Sequence, residues 1–229
     1  MSKTIDSNLK TITLSFKGFF KDLETIAANI AALNKSRQDM EATGNYTAAY
    51  IDDVMKKEEA NKLVAINGAI NTIIAGVEDF TEAAFNILNA SDVLEDTRIA
   101  PALASVGSLK GREGAAAAEI IARQFAGNFP VLNLLAASAP DASAKDVLRK
   151  HSIDAEGVEA MGDNIGSDAL AINNTSDITE ISTRVYKLAK VLKSDALAFG
   201  VNINMEDFKA LSALLEAKKL EDVRQAMGL

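Results

Sequence analysis

Cysteine and tryptophan are absent from the 229 residues, histidine occurs once and proline three times. Without a thiol there is no disulfide framework, no thiolate nucleophile and no sulfur-ligated metal. With His151 as the one imidazole, neither a ferritin-like di-iron site nor a zincin site can be built, since the first needs two Glu-x-x-His pairs and the second two histidines on one helix. Strand signals are missing as well. The β-branched residues do not gather in period-two runs, and the one Asn-Gly pair, Asn67-Gly68, lies inside a helical-period stretch, so little or no sheet is expected.

An excess of basic charge is also lacking. The net charge is −8 with a pI near 4.8, and the two signs are interleaved along the chain. Such a surface repels a phosphate backbone, so nucleic acid is not expected as the main partner. The start, MSKTIDSNLK, lacks the basic-then-apolar layout of a secretory signal, and no uncharged run reaches the length of a membrane span at high hydropathy. The best candidate, Gln124 to Pro140, is interrupted by Gly127, Asn128, Pro130 and Asn133. A cytoplasmic setting is therefore expected, and the glycosylation sequons at Asn45, Asn89, Asn173 and Asn174 read as chance matches.

What the chain does carry is helical periodicity. Ile5, Leu9, Ile12, Phe16, Phe19, Leu23, Ile26, Ile30, Leu33 and Met40 follow one another in steps of three and four, with Arg37 taking one polar turn. An average step of 3.5 places one apolar stripe along a helix, and such a stripe is buried only by another helix beside it. The first helix is expected from about Thr4 to Ala42, a rod of roughly 58 Å. Thr43, Gly44 and Asn45 should end it, because glycine and asparagine tolerate the left-handed conformation that closes helices. A second helix, from about Tyr46 to Asn89, repeats the seam as Leu63, Ile66, Ile70, Ile73, Val77, Phe80, Ala84 and Ile87, and lapses into polar residues between Lys56 and Lys62.

A short turn between long helices makes them antiparallel. Folding about Gly44 pairs residues whose numbers sum to about 89, which puts Phe19 near Ile70, Ile26 near Leu63 and Leu9 near Phe80. The polar run Lys56 to Asn61 would then face Ala28 to Leu33. Either another segment covers Ile30 and Leu33, or that tip binds a partner. Apolar residues flanking the seams, such as Phe20, Ala27, Ile74 and Leu88, call for further helices on the pair.

From Ala90 to Thr175 glycines and prolines divide the chain, and short helices are expected near 92–98, 101–106, 114–126, 130–138, 143–151 and 155–161. Asn164 to Ser176 reads as a loop, with Ser167 to Ile172 as a candidate helical turn within it. Asp177 and Glu180 form an acidic version of the capping box, opening a third long helix to about Phe199, and two short helices should complete Met205 to Met227. The sequence reading is thus an all-α fold: a long antiparallel helical hairpin, coiled-coil-like, over 1–89, a short-helix region over 90–175, and a long helix with C-terminal short helices over 176–229.

Chemistry has few footholds. His151 needs an orienting carboxylate to act as a general base, and Asp146 and Asp154 are close enough in sequence to be considered; a polar residue at the end of a short helix is the simpler reading. The stretch GSLKGREG, Gly107 to Gly114, brings Lys110 and Arg112 to the start of an alanine-rich helix. Backbone N–H groups near Gly114 with two cations beside them make an anion-binding candidate, although the spacing is not that of a P-loop. Asp163, Asn164 and Asp168 lack the ligand order of an EF-hand. No serine lies in a Gly-x-Ser-x-Gly turn. No catalytic residue, metal or cofactor is expected. Phe20, beside the seam, and Ile30 and Leu33, at the tip, are the partner-interface candidates.

These features point to a non-enzymatic structural or protein-interaction subunit of a larger assembly, or to a homo-oligomer. In general style the chain resembles the small helical accessory and virion proteins of tailed bacteriophages, which implies a virion location. A membrane-active, pore-forming helical protein, inserting Leu63 to Val77 or Gln124 to Pro140, is one alternative. An anion- or nucleotide-binding helical protein using the 107–114 loop is another.

Overall fold

The computed structural model describes residues 3–90 and 96–226. Among these there is no strand, and the fold is all-α. Two helices of 41 residues each, α1 (Lys3–Thr43) and α2 (Ala48–Leu88), occupy the first third. They form where the three-and-four seam runs, and the turn between them has the expected cause: Gly44 takes φ +62, the left-handed region in which a side chain is strained. Thr47 then caps α2, its hydroxyl accepting the Tyr50 N–H at 3.3 Å.

Short helices follow: α3 (Ile99–Gly107), α4 (Gly111–Gln124), α5 (Phe129–Ser138) and α6 (Ala142–Lys150). Two longer ones, α7 (Ala155–Asn173) and α8 (Ile178–Ala198), precede a 3-10 turn at Met205–Asp207 and the last helix, α9 (Lys209–Ala226). Several boundaries depart from the sequence reading. Most of the helix expected at 92–98 lies outside the described residues, and Asp96 to Arg98 form the turn that leads into α3.

The segment read as a helix to 161 followed by a loop is one continuous helix, α7. Val158, Gly162, Ile165, Ala169 and Ile172 are all buried, a seam with the same alternation of four and three in which glycine holds one position. A buried glycine shortens the distance to a neighbouring helix, so it continues the stripe where the residue type alone signals a break. The end of the chain forms one α-helix after the 3-10 turn instead of two short helices. At the start of α8 only half of the capping box is made. Asp177 accepts the Thr179 N–H at 2.8 Å, while Glu180 accepts from the Thr175 hydroxyl and pairs with Arg184.

The chain packs as two compact units whose limits fall inside the long helices, a division different from the three consecutive segments read from the sequence. The first comprises Met1–Ser15, Glu78–Asp163 and Ser194–Asn202. Phe199 is central to it, meeting Phe80 at 5.5 Å and Phe129 at 5.0 Å between ring centroids, both edge to face. Gly127, at φ +75, passes so close that a Cβ would stand 3.0 Å from Leu9 and 3.2 Å from the Phe199 carbonyl. Glycine is required there by conformation and by space together.

The second unit comprises Phe16–Val77, Asn164–Lys193 and Ile203–Leu229. Its core joins Phe16, Phe19, Leu23, Ile26 and Ile30 of α1 to Ile66, Ile70 and Ile73 of α2, with Ile165, Ile181, Leu188 and Leu211 from the later helices. Near the turn the expected antiparallel register is met, since Arg37 pairs with Asp52 at 3.2 Å and their numbers sum to 89. Farther down it drifts. The Phe19 ring, expected beside Ile70, lies where a Cβ on Gly76 would be 2.8 Å away, filling the room the glycine leaves.

Candidate functional site

The hairpin apex is the most distinctive surface of the second unit. Every residue from Glu41 to Tyr50 is exposed. Tyr46 lies just ahead of the Thr47 cap and Tyr50 in the first turn of α2, and the turn brings the two side chains together. Their rings stack at 5.1 Å with planes 17° apart, and both stay about half exposed, at 47% and 52%. No charged residue occurs between Ala42 and Ile51, and the charges that flank this stretch between Arg37 and Lys56 are all acidic: Asp39, Glu41, Asp52 and Asp53. Asp53 is held below its ordinary value by hydrogen bonding to Lys57, whose ammonium lies 2.8 Å away. Arg37 joins Asp52 at 3.2 Å and stands 4.0 Å from Glu41.

Directly behind the apex, Leu33, Ile51 and Met55 close a small core against which Met40 and Ile178 pack. This resolves the choice left open by the sequence. Ile30 and Leu33 are covered by other segments of the same unit, at 4% and 2% exposure, so they are not the surface offered to a partner. The polar run Lys56 to Asn61 misled that expectation for Leu33, because Ile51 and Met55, just ahead of it, supply the cover.

Phe20 is likewise buried, its ring 5.7 Å from that of Phe208. One turn on, the Glu24 carboxylate accepts the N–H groups of Ala210 at 3.0 Å and Leu211 at 2.7 Å. A carboxylate on the first N–H groups of a helix satisfies donors that have no intrahelical partner and offsets the positive end of the helix dipole. The spare apolar flank of α1 is thus spent on seating α9. Glu24 was not singled out from the sequence, since a lone glutamate on a long helix looks like any solvated one. Beyond Leu211, α9 has no buried residue among those described, and a groove of about 490 Å³ with Ala27, Ile30, Ala31, Ala213, Leu214 and Ala217 in its walls separates it from α1.

In the first unit, the glycine-rich candidate takes a form of its own. The helix opens at Gly111, φ +59, and the Gly111 N–H donates to the Asp141 carboxylate at 3.0 Å. The other oxygen of Asp141 caps α6 by accepting from Ser143 and Ala144. Asp141 is held below the usual carboxylate value, chiefly by the Gly111 bond. An internal anion therefore occupies the donor that a bound phosphate would need, and Gly114 is buried against Leu109. Lys110 and Arg112 remain exposed beside it.

His151 closes α6 as its C-cap residue. Its orienting carboxylate is neither Asp146 nor Asp154: Nε2 lies 2.9 Å from Glu119 on α4, and Arg123 holds the other oxygen at 3.0 Å. Glu119 is lowered in consequence, first by His151 and then by Arg123. The neighbouring Ser152 hydroxyl donates to Asn133 Oδ1 at 2.5 Å. This arrangement ties α6 to α4 and presents no nucleophile to the imidazole. Among the described residues no group of three or more His, Asp or Glu side chains converges as a metal site. The Tyr46 and Tyr50 pair was also passed over in the sequence, though the i, i+4 spacing of two aromatics just past a helix stop was a usable signal. No family model, curated protein or solved structure matches this chain.

Proposed function

We propose that the chain is a non-enzymatic structural or protein-interaction subunit, and that its coiled-coil-like hairpin presents the apex to a protein partner within a larger assembly. The observation that carries this reading is the exposed, stacked Tyr46 and Tyr50 pair on a ten-residue stretch without charge. Tyrosines offer large contact area at small conformational cost and are enriched among the residues that dominate interfaces. Three of the four flanking carboxylates are paired with Arg37 or Lys57, so the apex offers an aromatic patch of little net charge, which suits a partner surface with an apolar centre. A cytoplasmic or virion location belongs to the same reading. A photo-crosslinking residue at position 50, with a control at position 110, tests it in the native source. Crosslinks to one protein from position 50, lost on Tyr46→Ala, are expected; equal yields from both positions would reject the apex as the docking surface.

One observation favours the membrane-active alternative. Within α2 an 18-residue window has mean hydropathy 1.3 and only 28% of it is buried, and Val64 is 73% exposed. Release of a trapped dye from liposomes checks it, and intact vesicles would set it aside.

A further inference from the structure

A second cleft, independent of the apex, opens in the first unit between α5, α6 and the start of α7. Its volume is about 750 Å³. Lys145 and Arg149, one helical turn apart on α6, both line it. Side chains at that spacing have their Cβ atoms about 5 to 6 Å apart, so an ammonium and a guanidinium can close on one small anion. Neither cation has an ion-pair partner among the described residues. In a chain of net charge −8, two cations free of ion pairs face one concave space against the single carboxylate of Asp154.

The remaining lining defines the ligand further. Ser152 lies in the same wall, but its hydroxyl already donates its one hydrogen bond to Asn133 Oδ1, so the two cations supply the donors to the ligand. Asp154 is the one acidic group in the lining, and its carboxylate already accepts the Gly157 N–H at 2.9 Å. Two cations match the charge of a phosphate monoester, about −1.5 to −2 at neutral pH, better than the single charge of a carboxylate. The cleft exceeds the volume of a phosphate group, and Ala136 and Met161 give the excess space an apolar side. We propose that this cleft binds a small phosphorylated organic molecule, with Lys145 and Arg149 holding the phosphate and the apolar wall receiving the group attached to it. The site differs from the Lys110 and Arg112 loop in one decisive respect: no internal carboxylate has taken its donors.

Titration of the full chain with phenyl phosphate and with inorganic phosphate, followed by amide chemical shifts and calorimetry, tests the assignment. Phenyl phosphate is expected to bind about tenfold more tightly than inorganic phosphate, with shifts centred on residues 145–157. Lys145→Gln with Arg149→Gln should abolish saturable binding, while Lys110→Gln with Arg112→Gln should leave it unchanged. Both pairs keep good helix formers in place of exposed or half-exposed cations, and the wild-type shift map locates the site without any variant. Absence of saturable shifts, shifts centred elsewhere, or equal loss in the two double variants would overturn the proposal.

Discussion

The same two helices are treated in opposite ways along their length. From Phe16 to Leu33, α1 buries a wide apolar face, and α2 buries Ile66, Ile70 and Ile73 in the same unit. From Glu41 to Tyr50 nothing is buried, although the backbone stays helical to Thr43 and resumes at Ala48. The difference lies in the side chains available. In the body a seam residue recurs about once per turn with an apolar flank beside it; from Glu41 to Tyr50 the only side chains larger than threonine are Glu41, Asn45 and the two tyrosines, and none is aliphatic beyond alanine. Helix continues there by propagation from the packed turns, since adding a residue to an existing helix is far easier than starting one. The apex is thus an outgrowth held up by the body, free of any packing duty of its own.

Three variants test this contrast. Ile26→Lys in the body places an unpaired charge in a fully buried site and should cost on the order of 4 kcal/mol, seen as loss of the cooperative melt. Melting indistinguishable from wild type would show that the seam is not core.

An intermediate effect is expected where a charge already sits in partly buried surroundings. Asp195 on α8 is pushed up to about 6 by desolvation, and its Oδ2 is buried without a hydrogen-bond partner. Below about pH 4 the carboxyl is protonated whether the chain is folded or not. Between there and about pH 6 the folded chain keeps a proton that the unfolded chain has released, so stability falls as pH rises, and it stays lowered above that range. Asp195→Asn should therefore raise stability at pH 7.5, by about 1 to 2 kcal/mol once screening by the solvent that still reaches the group is allowed for. It should also flatten the Asp195 contribution to the pH dependence of melting. A variant that melts earlier than wild type at pH 7.5 would show that the charge is compensated.

The smallest effect belongs to the apex. Tyr46→Ala with Tyr50→Ala should change stability by no more than about 0.5 kcal/mol, because both rings are half exposed and support no core. A loss near that of a core truncation in chemical denaturation would make the tyrosines structural and remove the basis of the proposed interface.

Periodicity made most of this legible beforehand. Eight of the ten α1 seam residues are buried, Leu9 and Met40 being the half-buried exceptions, and the stop at Gly44 was visible because one residue's conformational freedom settles it. The reading failed where glycine stood in for an apolar residue. Gly162 interrupts the apolar count of α7 yet occupies its buried stripe. It failed again where a donor's fate depended on a distant acceptor: nothing local reveals that Gly111 is claimed by Asp141, thirty residues on, or that the start of α9 is claimed by Glu24. The candidate interface suffered for the same reason, since Phe20 and Leu33 look spare until Phe208, Ile51 and Met55 are brought against them, and Ile30 is buried as well.

Local sequence was enough for the all-α class, the two long rods and the hinge at Gly44, because backbone hydrogen bonds and side-chain spacing are properties that a stretch of chain carries anywhere. Tertiary structure alone decided which apolar flanks were used up, which charges found partners and which were left facing open space. Those outcomes depend on segments far apart in sequence arriving at the same point, and solvation and pairing are set only there.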